Sequence, residues 1–217
     1  MEKMIFINLK MYLNTRKDVK NYIDKLKGLK MVFFPSSIYI QMFIDNGFIC
    51  GCQDVSSYLS GAHTSEISAV SIKDIGCLYT LIGHSEVGDN KAKEKIKVSL
   101  DNDLIPILCV GEKKVQDKYE TLDRQLSILS DICGEVIIAY EPVWSIGTGN
   151  IPSCHDIEDS INYIKSKYPS FKVLYGGSVN ESNIAVLNNV KNIDGFLLGT
   201  SGVDVDSLLK IKEVVLK

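Results

Sequence analysis

The sequence predicts an α/β protein, a closed (β/α)8 barrel, on three observations. Apolar strand-like runs alternate strictly with amphipathic stretches, there are eight such units, and the strand runs are mostly apolar on both faces. Strands that show no polar face belong to a parallel sheet covered by helices on its outside. Eight units of roughly 27 residues in a chain of 217 fit a closed barrel with trimmed helices, since such barrels usually run to about 250 residues. An open doubly wound sheet is the alternative. It usually has fewer units and a Gly-rich crossover for a nucleotide, and neither GxGxxG nor GxxxxGK is present.

In chain order, the strand-like runs cover residues 4–9, 31–35, 48–53, 78–83, 105–110, 136–140, 173–176 and 195–199. β-branched and aromatic residues dominate them, as a buried pleated surface requires. The intervening helical patterns cover 17–29, 37–46, 65–75, 90–102, 119–131, 156–168, 183–190 and 205–217. The first shows the logic of the rest: Thr15 is placed to cap it, and Val19, Tyr22, Ile23 and Leu26 recur on one face. No linker, low-complexity segment or change in composition interrupts the alternation, so residues 1–217 read as one domain.

The bulk properties narrow the function. With 45% hydrophobic residues and no apolar run near the ~18 needed to span a bilayer, the chain reads as a soluble globular protein without membrane partners. The N-terminus lacks the layout of a signal peptide, and the six cysteines are scattered with no CxxC pair. Both readings favour a reducing cytoplasm. A net charge of −3 with intermixed signs leaves no basic stripe for nucleic acid. An anionic ligand would then need local features to hold it.

Those features collect at strand ends. Asn8 and Lys10 close the first strand and His84, in Gly83-His84-Ser85-Glu86, closes the fourth. Glu141 closes the sixth, Gly176-Gly177-Ser178 the seventh and Gly199-Thr200 the eighth. Taken singly, each is an ordinary surface lysine, capping histidine or glycine turn. Together they fall on the rim formed by the C-terminal strand ends, where barrels of this class carry their active sites. A carboxylate, an imidazole donor and an ammonium suit removal of a proton next to a carbonyl, with the developing enediolate oxygen stabilised by donor and cation. Glycine-rich turns and helix N-termini supply backbone N–H groups for a phosphate. No metal-ligand constellation is visible, and no cofactor motif.

The longest of these segments runs from the sixth strand through Glu141-Pro142-Val143-Trp144-Ser145-Ile146-Gly147-Thr148-Gly149. With Asn8-Leu9-Lys10-Met11, Gly61-Ala62-His63-Thr64, Gly83-His84-Ser85-Glu86, Cys109-Val110-Gly111-Glu112, Tyr175-Gly176-Gly177-Ser178-Val179-Asn180 and Asp194-Gly195-Phe196-Leu197-Leu198-Gly199, it resembles the triosephosphate isomerase family over essentially the whole chain. That family is built on the eight-unit TIM barrel. The resemblance implies that Glu141 is the base, His84 a neutral electrophile, Lys10 the cation and Asn8 a donor to substrate oxygens. It further implies that Glu86 and Ser85 support that group and that Gly147, Ser178, Gly199 and Thr200 contact the phosphate. Residues 142–149 would form a lid, latched by Tyr175 and Ser178 with Gly176 and Gly177 beside it. A neutral imidazole and a closing lid are known features of the family. It also implies a homodimer, with the loop carrying Thr64 reaching the partner's site.

Departures from the family pattern gather at that loop. Val87-Gly88 stands where two arginines are usual, and Ser65 replaces a glycine, so a weakened dimer is expected. Thr200 replaces a frequent glycine beside the phosphate. The expected activity is cofactor-free interconversion of dihydroxyacetone phosphate and D-glyceraldehyde 3-phosphate. The alternatives are a pentose-phosphate epimerase, which calls for metal ligands or paired acids at strand ends, and an inactive relative retained as a phosphate-binding or interaction module.

Overall fold

The computed structural model describes residues 3–88, 91–145 and 151–216. Eight parallel strands pair in sequence order and close into a barrel: β1 (Met4–Asn8), β2 (Val32–Phe34), β3 (Ile49–Cys52), β4 (Tyr79–Ile82), β5 (Ile105–Val110), β6 (Ile137–Tyr140), β7 (Lys172–Tyr175) and β8 (Gly195–Leu198). The helices are α1 (Arg16–Leu26), α2 (Ile40–Ile44), α3 (Ala69–Asp74), α4 (Ala92–Leu100), α5 (Lys118–Leu126), α6 (Cys154–Lys167), α7 (Ile184–Leu187) and α8 (Val205–Val215).

The period of two along each strand divides the apolar residues between two cores. In β1, Ile5, Ile7 and the following Leu9 face the helices, where they join Val19, Tyr22 and Ile23 of α1. Phe6 faces the lumen with Phe34, Leu81, Ile107, Ala139, Leu174 and Leu197. Each large side chain buried this way stabilises the fold by about 1.5–3 kcal/mol. The same register carries Asn8, two residues after Phe6, to the top of the lumen.

The helices are trimmed, and side-chain caps set the starts of α1, α3, α6 and α8. Thr15 accepts the Asp18 N–H at 3.1 Å, and Ser68, Ser153 and Asp204 cap α3, α6 and α8 in the same way. Several starts differ from the sequence expectation, and two of them have a visible cause. The third helix begins at Ala69 and not at 65, because Ser65 takes φ 74, in the left-handed region that ends a helix. The sixth begins earlier, at Cys154, because Ser153 supplies its cap. The second is broken into a 3-10 turn (Ser37–Tyr39) and the short α2, and α7 shrinks to a single turn.

Candidate active site

The lumen is filled up to its C-terminal end, where a cavity of about 800 Å³ opens. Its lining brings together Asn8 at the end of β1 and Lys10 just beyond it, His84 and Glu86 after β4, Glu141 after β6, Gly176–Ser178 after β7 and Gly199–Thr200 after β8.

Lys10 is fixed from several sides. Its N–H donates to Asn8 Oδ1 at 3.0 Å, and its carbonyl accepts Gln53 Nε2 at 2.8 Å. That same amide group also donates to Phe34 O at 2.9 Å, so one side chain ties three strand ends together. The backbone at Lys10 has φ 46, a conformation that costs a non-glycine residue roughly 1–2 kcal/mol. Its ammonium meets Glu86 Oε1 at 2.5 Å.

His84 is buried, and its ring orientation follows from the turn behind it. The N–H groups of Val87 and Gly88 donate to its carbonyl at 2.9 and 3.0 Å, and the Glu86 N–H donates to Nδ1 at 3.2 Å. A ring nitrogen that accepts a backbone N–H carries no proton, so the proton sits on Nε2. Burial, with help from the Lys10 ammonium and against the Glu86 carboxylate, holds the imidazolium below its ordinary value. His84 is therefore a neutral N–H donor whose Nε2 lies 3.8 Å from Glu141 Oε1.

Glu141 follows β6 directly, and its N–H donates to Val110 O at 2.7 Å. Its side chain is buried, and burial is the main reason its pKa rises to about 7. The Cys109 thiol, which hydrogen-bonds to it, and Lys10 oppose that rise, and the Glu86 charge adds to it. Oε2 has no hydrogen-bond partner among the described residues. A carboxylate poised near neutrality beside a neutral donor is the arrangement general base catalysis requires.

Gly176 makes this placement possible. A Cβ there would stand 2.8 Å from Glu141 Cγ and 3.1 Å from Oε1. Gly176→Ala is therefore expected to push the carboxylate aside and lower kcat about 10- to 100-fold, as small misplacements of reacting groups do. Steady-state rates beside a thermal melt of the folded variant check this.

Other expected residues lie at varied distances from the cavity. Ser178 lines it and donates its hydroxyl to Ser145 O at 2.6 Å, linking the turn after β7 to the base of the lid segment. In that segment Val143–Ser145 form a 3-10 turn, whereas Gly147 lies outside the described residues. Tyr175 is buried beneath the rim, and a Cβ on Gly177 would overlap its hydroxyl. Thr200 is exposed and its hydroxyl meets that of Tyr12 at 3.3 Å, so its side chain leans across the mouth. Ser85 turns toward a second, smaller cavity between β5, α4 and α5. Thr64 is exposed on the loop between β3 and α3, away from both cavities.

Sequence reasoning assigned no role to Gln53, Tyr12 or Glu112. Glu112 is buried and accepts Trp144 Nε1 at 2.9 Å and the Tyr140 hydroxyl at 3.1 Å, fixing the first turn of the lid segment to β5. Its position four residues into a matched motif was the available signal.

The comparisons with known proteins point to one family. A family model described as triosephosphate isomerase matches residues 3–215. A triosephosphate isomerase from Wolbachia sp. subsp. Brugia malayi is 35% identical, covering 100% of this chain and 99% of its own. One from Buchnera aphidicola subsp. Baizongia pistaciae is 35% identical over 94% of this chain and 93% of its own. One from Mycoplasmopsis agalactiae is 42% identical over 75% and 69%.

Proposed function

The chain belongs to the triosephosphate isomerase family, and on that premise we propose how its rim residues divide the reaction. The enzyme is an aldose–ketose isomerase that interconverts dihydroxyacetone phosphate and D-glyceraldehyde 3-phosphate through an enediolate. The observation that carries the division of labour is the pair formed by Glu141, with its carboxyl near neutrality, and the neutral His84 donor 3.8 Å away.

Glu141 takes a proton from C1 of the ketone. The C–H electron pair becomes the C1–C2 double bond, and the carbonyl electrons move onto the C2 oxygen. His84 Nε2–H and the Lys10 ammonium stabilise the charge that develops there, and Asn8 helps orient the oxygens. The Glu141 carboxyl then returns a proton to C2, while a proton passes from the C1 hydroxyl to the C2 oxygen, leaving the aldehyde. Protons and electrons balance with these side chains, so the reading calls for no cofactor and no metal. The phosphate is assigned to Gly147, Ser178, Gly199 and Thr200, with residues 142–149 closing over it and excluding water that would divert the enediolate.

The proposal extends to a single barrel domain working as a homodimer in the cytoplasm, with a role in glycolysis and gluconeogenesis. Met11 and Val87 are exposed large apolar residues, as are Tyr58 and Leu59 on the loop that carries Thr64, and an apolar surface of this kind suits a subunit contact. With Val87-Gly88 offering no guanidinium to support that loop, dilution is expected to dissociate the dimer and lower specific activity. Sedimentation and activity across a concentration series check this, and a dimer intact at nanomolar concentration would defeat it. Among the described residues no helix is long and apolar enough to cross a membrane.

A coupled isomerase assay on purified protein tests the reading as a whole. Turnover of dihydroxyacetone phosphate supports it. Phosphate binding without turnover would return the inactive-relative alternative.

A further inference from the structure

The catalytic carboxylate rests on a short brace formed by residues 110–112. Val110 O accepts the Glu141 N–H at 2.7 Å, and Glu112 O accepts the Val143 N–H at 2.9 Å. Between them Gly111 lies so close that a Cβ would overlap the Glu141 carbonyl. Wherever Gly111 goes, the backbone of Glu141 must follow.

The middle of this brace is held from outside by one amide. Leu122 and Leu126 anchor α5 in the core, which leaves Gln125 on the helix face toward the end of β5. Gln125 Oε1 accepts the Gly111 N–H at 2.8 Å, and Nε2 donates to the Gly111 carbonyl over a longer 3.4 Å. A primary amide offers the acceptor and the donor that the N–H and C=O of one residue need in return. A cavity of about 250 Å³ opens beside this contact, lined by Gly111, Gln125, Glu141 and Val143. Close packing therefore does not fix the outer side of the brace, and the hydrogen bond has that task.

We propose that Gln125 is a positioning residue for the isomerase reaction, setting the place of Glu141 through the backbone of Gly111. The inference rests on the assignment of Glu141 as the base. It concerns chemistry and not substrate binding, because Gln125 does not line the main cavity.

The test compares wild type with Gln125→Met, which fills similar space without hydrogen bonds, and Gln125→Asn, which keeps the amide but is one methylene too short. Both variants are expected to lose about 10- to 100-fold in kcat, the usual consequence of a small misplacement of a reacting group. KM and competitive inhibition by inorganic phosphate should stay within twofold of wild type. A merely structural role would lower the thermal midpoint and the folded fraction while leaving kcat per folded molecule unchanged. If Gln125→Met does not fold, Gln125→Asn decides alone. A kcat within twofold of wild type in the folded variant overturns the inference. Glu141→Gln in the same assay separates the two levels. If it keeps its turnover, the base assignment has failed; if it is inactive while the Gln125 variants are unimpaired, only the positioning role has failed.

Discussion

Glu141→Gln is expected to reduce turnover by about 10²–10⁴-fold, the range a general base contributes, while inorganic phosphate still binds. The amide keeps the size and polarity of the side chain and lacks only the ability to take a proton. Steady-state assays and phosphate inhibition check both halves. The same substitution should also alter stability, in the opposite direction. Burial raises the carboxyl from 4.5 to about 7, so the fold favours the protonated form. That contribution is fully present below the unfolded pKa and is lost as the pH rises through about 7. At pH 8 the wild type holds a buried carboxylate that the glutamine variant avoids, and the variant should be more stable by up to about 3 kcal/mol. Denaturant unfolding should show this advantage fading as the pH falls toward 4.5. A variant that is both inactive and more stable at high pH identifies a group whose placement serves catalysis at the expense of the fold.

His84→Gln is expected to raise the barrier by about 3 kcal/mol, as loss of one preorganised oxyanion donor does. Glutamine can donate a hydrogen bond, but it lacks the aromatic ring whose Nδ1 is gripped by the Glu86 N–H and whose Nε2–H is aimed accordingly. Turnover measured at saturating substrate reads the loss, and a change under twofold would count against the electrophile role. Because burial and Lys10 keep His84 neutral, its own titration lies below the ordinary histidine value. The acid limb of the rate profile near pH 7 should therefore persist in this variant, since it belongs to Glu141.

Much of this was legible in the chain. The eight-unit alternation could be read because parallel strands covered on both sides leave apolar runs, as in β5 and β6. The places of Asn8, His84 and Glu141 followed from where those runs end. The start of the third helix was harder, since Ser65 adopts left-handed backbone that no local pattern announces. The amide contacts of Gln53 and Gln125 reach 43 and 14 residues along the chain to backbone atoms, and such contacts leave no periodic trace. The raised pKa of Glu141 was equally invisible, because it arises from burial beneath neighbours brought in by several strands.

The shuttle of a proton through Glu141 is tested most directly by running the isomerisation in deuterium oxide and examining the product by NMR. A proton held on a carboxyl oxygen is exchangeable with solvent, whereas one bound to carbon is not. Part of the D-glyceraldehyde 3-phosphate should therefore carry deuterium at C2, and Glu141→Gln should form neither labelled nor unlabelled product at a comparable rate. A product carrying only protium at C2, formed equally fast by the variant, would mean that hydrogen moves without this carboxylate and would contradict the mechanism.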